Sequence, residues 1–126
     1  MEKPQVINVH ECDGCHVPKG WGHEIIFENN EKYCGKLLYF IKDRKCSWHY
    51  HKIKDETFYI QSGKLLLYYG WHEEMSLSSS IVLKKGDYFH IPVGLKHQMQ
   101  ALEDTELFEF STQHLDEDSY RIEKGD

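Results

Sequence analysis

The sequence predicts an all-β protein, a sandwich or barrel built from short strands. Three observations carry this. The segments HEIIFE (23–28), YCGKLLYFIK (33–42), TFYIQSG (57–63), KLLLYYGW (64–71), SIVLKKGDYFHIP (80–92) and TELFEFST (105–112) are short and rich in β-branched and aromatic residues. Gly, Asn, Asp or Pro punctuate them. No segment keeps the apolar period of a helix through three turns, so no substantial helix is expected. Short strands at regular spacing with turn signals between them are the pattern of sandwiches and barrels.

The remaining segments take their places around these strands. Residues 1–22 show little periodicity and are expected to form an irregular N-terminal arm. The strands occupy 23–112. HEEMSLSSS (72–80) is polar and reads as a loop between two halves of the strand set. Residues 113–126, acidic and then basic, are expected as a strand-like or extended C-terminal appendage. A chain of 126 residues suits one domain with one core.

Charge and composition narrow the partners. The formal net charge of −6 argues against nucleic acid or an anionic membrane, which need a basic face. A local basic pocket for a phosphorylated ligand stays open. No run approaches the ~20 apolar residues of a membrane span. The N-terminus MEKPQVINV lacks the apolar core of a signal peptide, so a cytoplasmic location is expected, where thiols stay reduced. The four cysteines (Cys12, Cys15, Cys34, Cys46) allow two disulfides, but nothing in their spacing favours pairing over free thiols.

Two segments carry chemistry. In CSWHYHKIKDETFYIQSG (46–63), His49 and His51 are two apart, which on a strand puts both imidazoles on one face. Glu56 opens the next strand, and an antiparallel return can bring its carboxylate beside them. Phe58 and Ile60 share the face of Glu56 and are expected to line a dry pocket wall. In KGDYFHIPVGLKHQMQ (85–100), Gly86-Asp87 opens a strand, Pro92-x-Gly94 makes a tight turn, and His97 starts the strand that follows. Three imidazoles and a carboxylate form a sound shell for one divalent first-row metal (Mn, Fe, Co, Ni or Zn), with positions left for water or substrate.

HECDGCH (10–16) competes for attention. It contains C-x-x-C-H, the attachment pattern of a c-type haem. Without an export signal, and with strands where a cytochrome has helices, covalent haem is not expected. A second zinc site from Cys12, Cys15 and His10 or His16 is weighed against a plain turn with Asp13-Gly14 at its tip.

The spacing H-x-H-x4-E-x6-G over 49–63, followed by G-x5-P-x-G-x2-H over 86–97, resembles the two motifs of the cupin superfamily. The resemblance covers roughly 20–112. It implies a small jelly-roll barrel, a double-stranded β-helix, with one metal held by His49, His51, Glu56 and His97. Asp43 replaces the glycine usual six before the first histidine, and Ala101 the asparagine usual four after the last. Within the superfamily, KGWGHE (19–24), EFSTQH (109–114) and DEDSYRI (116–122) are similar to the cupin domains of type II phosphomannose isomerases and related sugar-handling proteins.

That resemblance implies a sugar or sugar-phosphate-like ligand and isomerase- or epimerase-type chemistry. Aldose–ketose isomerisation needs a Lewis acid and a base that moves a proton between neighbouring carbons. Candidates for the base are Glu109, Lys36, His90 and Tyr59. Trp21 offers an aromatic face for a sugar ring, or plugs the barrel end. The alternatives are a non-haem Fe(II) dioxygenase, with Cys34, Cys46 or Tyr59 near the metal, and a non-catalytic binding module. A homodimer is expected, because small barrels cover exposed strand edges. LLLYYGW with outward-pointing Trp48 and Tyr50 is the expected contact surface, unless these pack under the arm.

Overall fold

The computed structural model describes residues 3–126. Residues 1 and 2 of the expected arm lie outside the described residues. The strands are β1 (His16–Lys19), β2 (Gly22–Asn29), β3 (Cys34–Phe40), β4 (Trp48–Tyr50), β5 (Glu56–Ser62), β6 (Lys64–Gly70), β7 (Ser79–Lys84), β8 (Tyr88–Ile91), β9 (Lys96–Ala101), β10 (Thr105–Ser111) and β11 (Tyr120–Glu123). They form a six-stranded sheet, β1-β2-β3-β10-β5-β8, facing a five-stranded one, β11-β4-β9-β6-β7. All pairings are antiparallel. This is the expected jelly roll. No helix among the described residues is long and apolar enough to cross a membrane.

Two local features differ from the sequence reading. Pairing begins inside the arm, because β1 lies antiparallel on β2. The segment 80–92 divides at Lys85-Gly86-Asp87 into β7 and β8, which belong to different sheets. The appendage contains β11, paired with β4, the strand-like form expected of it. β1 and β11 are edge strands whose residues are nearly all exposed, so no buried face imposed an apolar alternation on their sequence.

Two turn residues show why the strands stop where they do. Gly63, at φ 88°, closes the β5–β6 hairpin, and a Cβ there would overlap the Asp104 carbonyl. Asp43 takes φ 72°, the left-handed region. The position where cupins usually have glycine therefore keeps its conformation, held by an Asp43 N–H bond to the Ala101 carbonyl at 2.8 Å.

Register arranges the barrel interior in layers. One inward row is Lys36, Glu109 and Phe58; the next is Leu38, Leu107 and Ile60. Leu65, Leu67, Leu83 and Ala101 complete the second, apolar half from the other sheet. The first half holds buried polar groups: His51, Lys54, Glu56, His97 and Glu109. The interior is thus dry and apolar around the Gly63 turn and polar at the opposite end. That polar end opens into a cavity of about 880 Å³. Lys124, Gly125 and Asp126 line it as well. A Cβ on Gly125 would overlap the Cys46 backbone, and one on Gly20 the Asp126 backbone.

The expected partner surface needs correction. Trp48 points out of the barrel but is fully buried, its indole N–H donating to the Glu73 carbonyl at 2.8 Å. The loop after β6 covers it. Tyr50 stacks on Tyr120 with 5.2 Å between centroids, and the Lys96 ammonium sits 4.4 Å from its ring centre. The chain itself covers both residues. The N-terminal C-x-x-C is closed by a Cys12–Cys15 disulfide at the tip of a turn, while Cys34 and Cys46 are buried thiols. In that state Cys12 and Cys15 offer no thiolate to a second zinc.

Candidate metal centre

β4 alternates Trp48 out, His49 in, Tyr50 out, and His51 follows on the inner side. β9 brings His97 directly opposite His49. One ring nitrogen from each of His49, His51 and His97 lies within 4.8 Å of the others. Glu56, the first residue of β5, reaches the group from one side. Its Oε2 is 3.1 Å from His51 Nε2 and 3.5 Å from His97 Nε2.

The outward nitrogens decide how the inward ones are used. His49 Nδ1 lies 2.8 Å from the Ser47 carbonyl, His51 Nδ1 3.0 Å from the Asp118 carbonyl, and His97 Nδ1 2.9 Å from the Leu95 carbonyl. A carbonyl only accepts, so each Nδ1 carries the proton and donates it. Each Nε2 is then left with a lone pair aimed inward. Burial, and then the other imidazoles, hold His49 well below the usual histidine range. Burial also lowers His97, against the pull of Glu56. Both rings are neutral at neutral pH, which is the state a metal requires.

Glu56 completes the set. Burial opposes its ionisation, but the Lys54 ammonium, 3.5 Å from Oε1, holds its carboxyl below the usual carboxylate range. The buried atoms Glu56 Oε2 and His97 Nε2 have no hydrogen-bond partner. Lone pair faces lone pair, an arrangement that costs free energy unless a cation lies between. The residues therefore fit a divalent metal, and oxygen and imidazole donors suit the first-row ions. Among the described residues, these histidines are the one group with metal-ligand spacing.

A second polar cluster adjoins this one through Lys54. Lys54 Nζ is 3.5 Å from Glu56 Oε1 and 3.2 Å from Glu109 Oε2, and it donates to His114 Nδ1 at 3.1 Å. Lys36 Nζ is 3.7 Å from Glu24. Burial, then the charge of Glu56, pushes the Glu109 carboxyl up. Burial works against the Lys54 charge, but Glu56 and Glu109 outweigh it and raise Lys54. Burial, then Lys54 and Lys36, lowers His114 to about 4.

The chain matches the Cupin domain family over residues 37–113, the stretch that contains both metal-type motifs. It belongs to the cupins. Over 133 residues it is 30% identical to a D-lyxose ketol-isomerase of Thermofilum sp. (strain ex4484_79), covering 82% of this chain and 70% of that one. Similar folds occur in three solved structures. KdgF from Halomonas sp. has TM-score 0.73 and 19% identity, over 91% of this chain and 98% of KdgF. The capsular polysaccharide assembling protein CapF of Staphylococcus aureus has TM-score 0.74 and 18% identity, over 86% of this chain and 34% of CapF. Oxalate decarboxylase from Bacillus subtilis has TM-score 0.76 and 16% identity, over 95% of this chain and 33% of the decarboxylase. The chain spans about a third of the latter two proteins.

The cupin barrel sorts the residues singled out in the sequence. His49, His51, Glu56, Glu109, Lys36, Trp21 and Phe58 all line the cavity, and His97 is sealed behind them at 0% exposure. Trp21 stacks on Phe40 at 4.1 Å, so it belongs to the wall as well as to the core. Three residues lie elsewhere. His90 is on the outer face of β8, 2.6 Å from Asp55, because Ile91 beside it takes the inward position. Tyr59 is outward on β5, paired with Phe108 and Tyr88. Ile60 is inward but one layer too deep, at 0% exposure in the apolar half.

Sequence reasoning missed Lys54, His114 and Asp118. Lys54 stands two before Glu56, so strand alternation placed it on the same face; its burial was hidden inside a run that read as a Lys-rich turn. Asp118 is 3% exposed. Its carboxylate accepts the N–H groups of Lys52 and Lys54 at 2.9 Å and of Ile53 at 3.1 Å. No local pattern announced that contact, because its two sides are more than sixty residues apart.

Proposed function

We propose that this cupin is a metal-dependent sugar isomerase, interconverting an aldose and a ketose. One observation carries the reading: a centre of three imidazoles and Glu56 shares a cavity with the buried carboxyl of Glu109. His49, His51, Glu56 and His97 would hold one Mn, Fe, Co, Ni or Zn ion. Bound there, that ion supplies Lewis acidity to the carbonyl and neighbouring hydroxyl of the sugar.

The remaining roles belong to the chain. Glu109 is the base: it takes the proton from one carbon and returns it to the next. Its raised pKa brings it closer to working pH than a free carboxylate. Lys54, 3.2 Å away, orients that carboxylate and offsets the charge of the emptied oxygen. Lys36 and Glu24 provide a donor and an acceptor for hydroxyls farther along the sugar. The Trp21 face suits its C–H side. Phe58 closes the wall beside Glu109 and excludes water. The similarity to a D-lyxose ketol-isomerase supports a sugar ligand and this reaction type.

The test is a panel of aldoses and their phosphates, with product analysis in the absence of oxygen and oxygen uptake followed in a parallel aerobic assay. Aldose–ketose interconversion that is lost in Glu109→Gln at unchanged metal content is expected. Substrate-dependent oxygen consumption would overturn the reading in favour of an Fe(II) dioxygenase. Ligand-dependent thermal stabilisation without turnover would overturn it in favour of a binding module.

A further inference from the structure

The cavity holds more charge than Glu109 and the metal-type centre require. Five carboxylates line it, and each has a partner. Glu24 faces Lys36 at 3.7 Å, and Glu56 and Glu109 share Lys54 at 3.5 and 3.2 Å. Asp116 lies 3.1 Å from His114 Nε2, and the Asp126 carboxylate accepts the Lys45 backbone N–H at 2.8 Å. Five cationic side chains line the cavity too, and three of them are left over. Among the described residues, Lys19, Arg121 and Lys124 form no ion pair. In a chain of net charge −6, the unpaired charge of the cavity is positive.

Register decides where Arg121 sits. It pairs with His49, and paired residues on adjacent strands share a face. His49 turns into the barrel, so Arg121 belongs to the inner face of β11. Its side chain stays open to solvent, as a group that takes a ligand must. Its charge reaches the cavity wall: burial pushes the Cys46 thiol up to about 12, and Arg121 is among the groups that pull it down. An arginine turned toward a protein interior ordinarily meets a carboxylate. β1 and β11 are edge strands of their sheets, and the segments that follow them meet where a Cβ on Gly20 would overlap the Asp126 backbone. Lys19, Arg121 and Lys124 therefore gather on one side of the cavity.

We propose that the sugar received here is an anionic one, and that Arg121 takes its carboxylate or phosphate group with Lys19 and Lys124 beside it. That the ligand is a sugar rests on the isomerase reading; the anion subsite rests on the charges alone. A guanidinium presents a planar fork of N–H donors that fits two oxygens of a carboxylate or phosphate. Like charges gathered on one side of a cavity repel, and an anion among them turns that cost into attraction. A neutral sugar leaves it in place. Arg121 comes from the five-stranded sheet and Glu109 from the six-stranded one. The sugar thus lies across the cavity, its charged group at Arg121 and its reacting carbons toward Glu109.

Isothermal titration calorimetry on the full chain, at matched metal content, compares D-glucose and D-mannose with their uronates and their 6-phosphates. A charged form is expected to bind roughly 10- to 100-fold more tightly than its neutral parent, the gain of charge-assisted hydrogen bonds. That gain should shrink with added salt. Which charged form gains separates carboxylate from phosphate. Arg121→Gln should bring it down to the level of the neutral sugar with the thermal transition retained. Lys85→Gln, exposed and outside the cavity, should leave the preference unchanged. Charged and neutral sugars that bind alike, charged sugars that do not bind, or an advantage that survives Arg121→Gln would overturn the proposal. The two readings fail separately. A charge preference without turnover leaves the anion subsite standing and overturns the isomerase, whereas aldose–ketose turnover with no charge preference does the reverse.

Discussion

Asp118 and His51, 67 residues apart in the chain, are joined by a 3.0 Å hydrogen bond from the His51 Nδ1–H to the Asp118 carbonyl. The same aspartate binds the backbone of Lys52, Ile53 and Lys54 through its carboxylate. One residue of the C-terminal segment thereby fixes both a metal-type imidazole and the loop that delivers Lys54 and Glu56.

Replacing Asp118 with Ala strips the acceptors from three backbone N–H groups. Hydrogen bonds to a charged group contribute about 1.5–3 kcal/mol each, and water entering the space left by the carboxylate replaces part of that. A loss of about 2–4 kcal/mol is expected, read as a lower denaturation midpoint. Metal affinity should fall roughly 10- to 100-fold, because the partner that orients His51 shifts. Wild-type affinity in a chelator competition would contradict the orienting role.

Metal removal gives the second prediction. His51→Ala and His97→Ala should each lower metal content sharply by elemental analysis of protein purified without added metal. In the wild type, chelation should lower the melting temperature. Saturation at a hundred times the dissociation constant stabilises by about 2.7 kcal/mol. Unchanged metal content in both variants would refute the ligand assignment.

Glu109 and Lys54 separate catalysis from metal binding. Glu109→Gln keeps the shape but cannot accept the proton, so kcat should fall roughly 10²- to 10⁴-fold with metal content unchanged. Lys54→Met leaves Glu109 and Glu56 without their shared cation. Stability and kcat should both drop, with the pH profile of kcat/KM displaced. Parallel losses of metal and activity in Glu109→Gln would instead mean that Glu109 is structural.

His114 provides a pH prediction. Its folded pKa of about 4 lies below the ordinary histidine value of 6.5. Between these values the unfolded chain binds the proton and the folded chain does not, so stability rises with pH across that window. The contribution is present above pH 6.5 and is lost as pH falls toward about 4. Glu109 acts with opposite sign, since its raised pKa favours the folded state at low pH. Melting curves of metal-free protein should show His114→Gln flattening the fall below pH 6.5. An unaltered slope would mean that His114 is not neutral in the fold.

The strand pattern, the two-motif His and Glu set and the inward face of β5 were legible along the chain. Glu56, Phe58 and Ile60 had to share a side because successive residues of a strand alternate. Short-range spacing also put His49 with His51. Depth, side and convergence came from packing between distant strands. Phe58 touches the cavity and Ile60 does not because the barrel closes apolar at the Gly63 end. His90 and Tyr59 face outward because the buried neighbours Ile91 and Phe58 claim the interior. Lys54, His114 and Asp118 meet only after the C-terminal segment folds back across the loop between β4 and β5. Alternation is a local property of the backbone, whereas these contacts depend on which distant strands pair, and one strand's pattern does not record its partner.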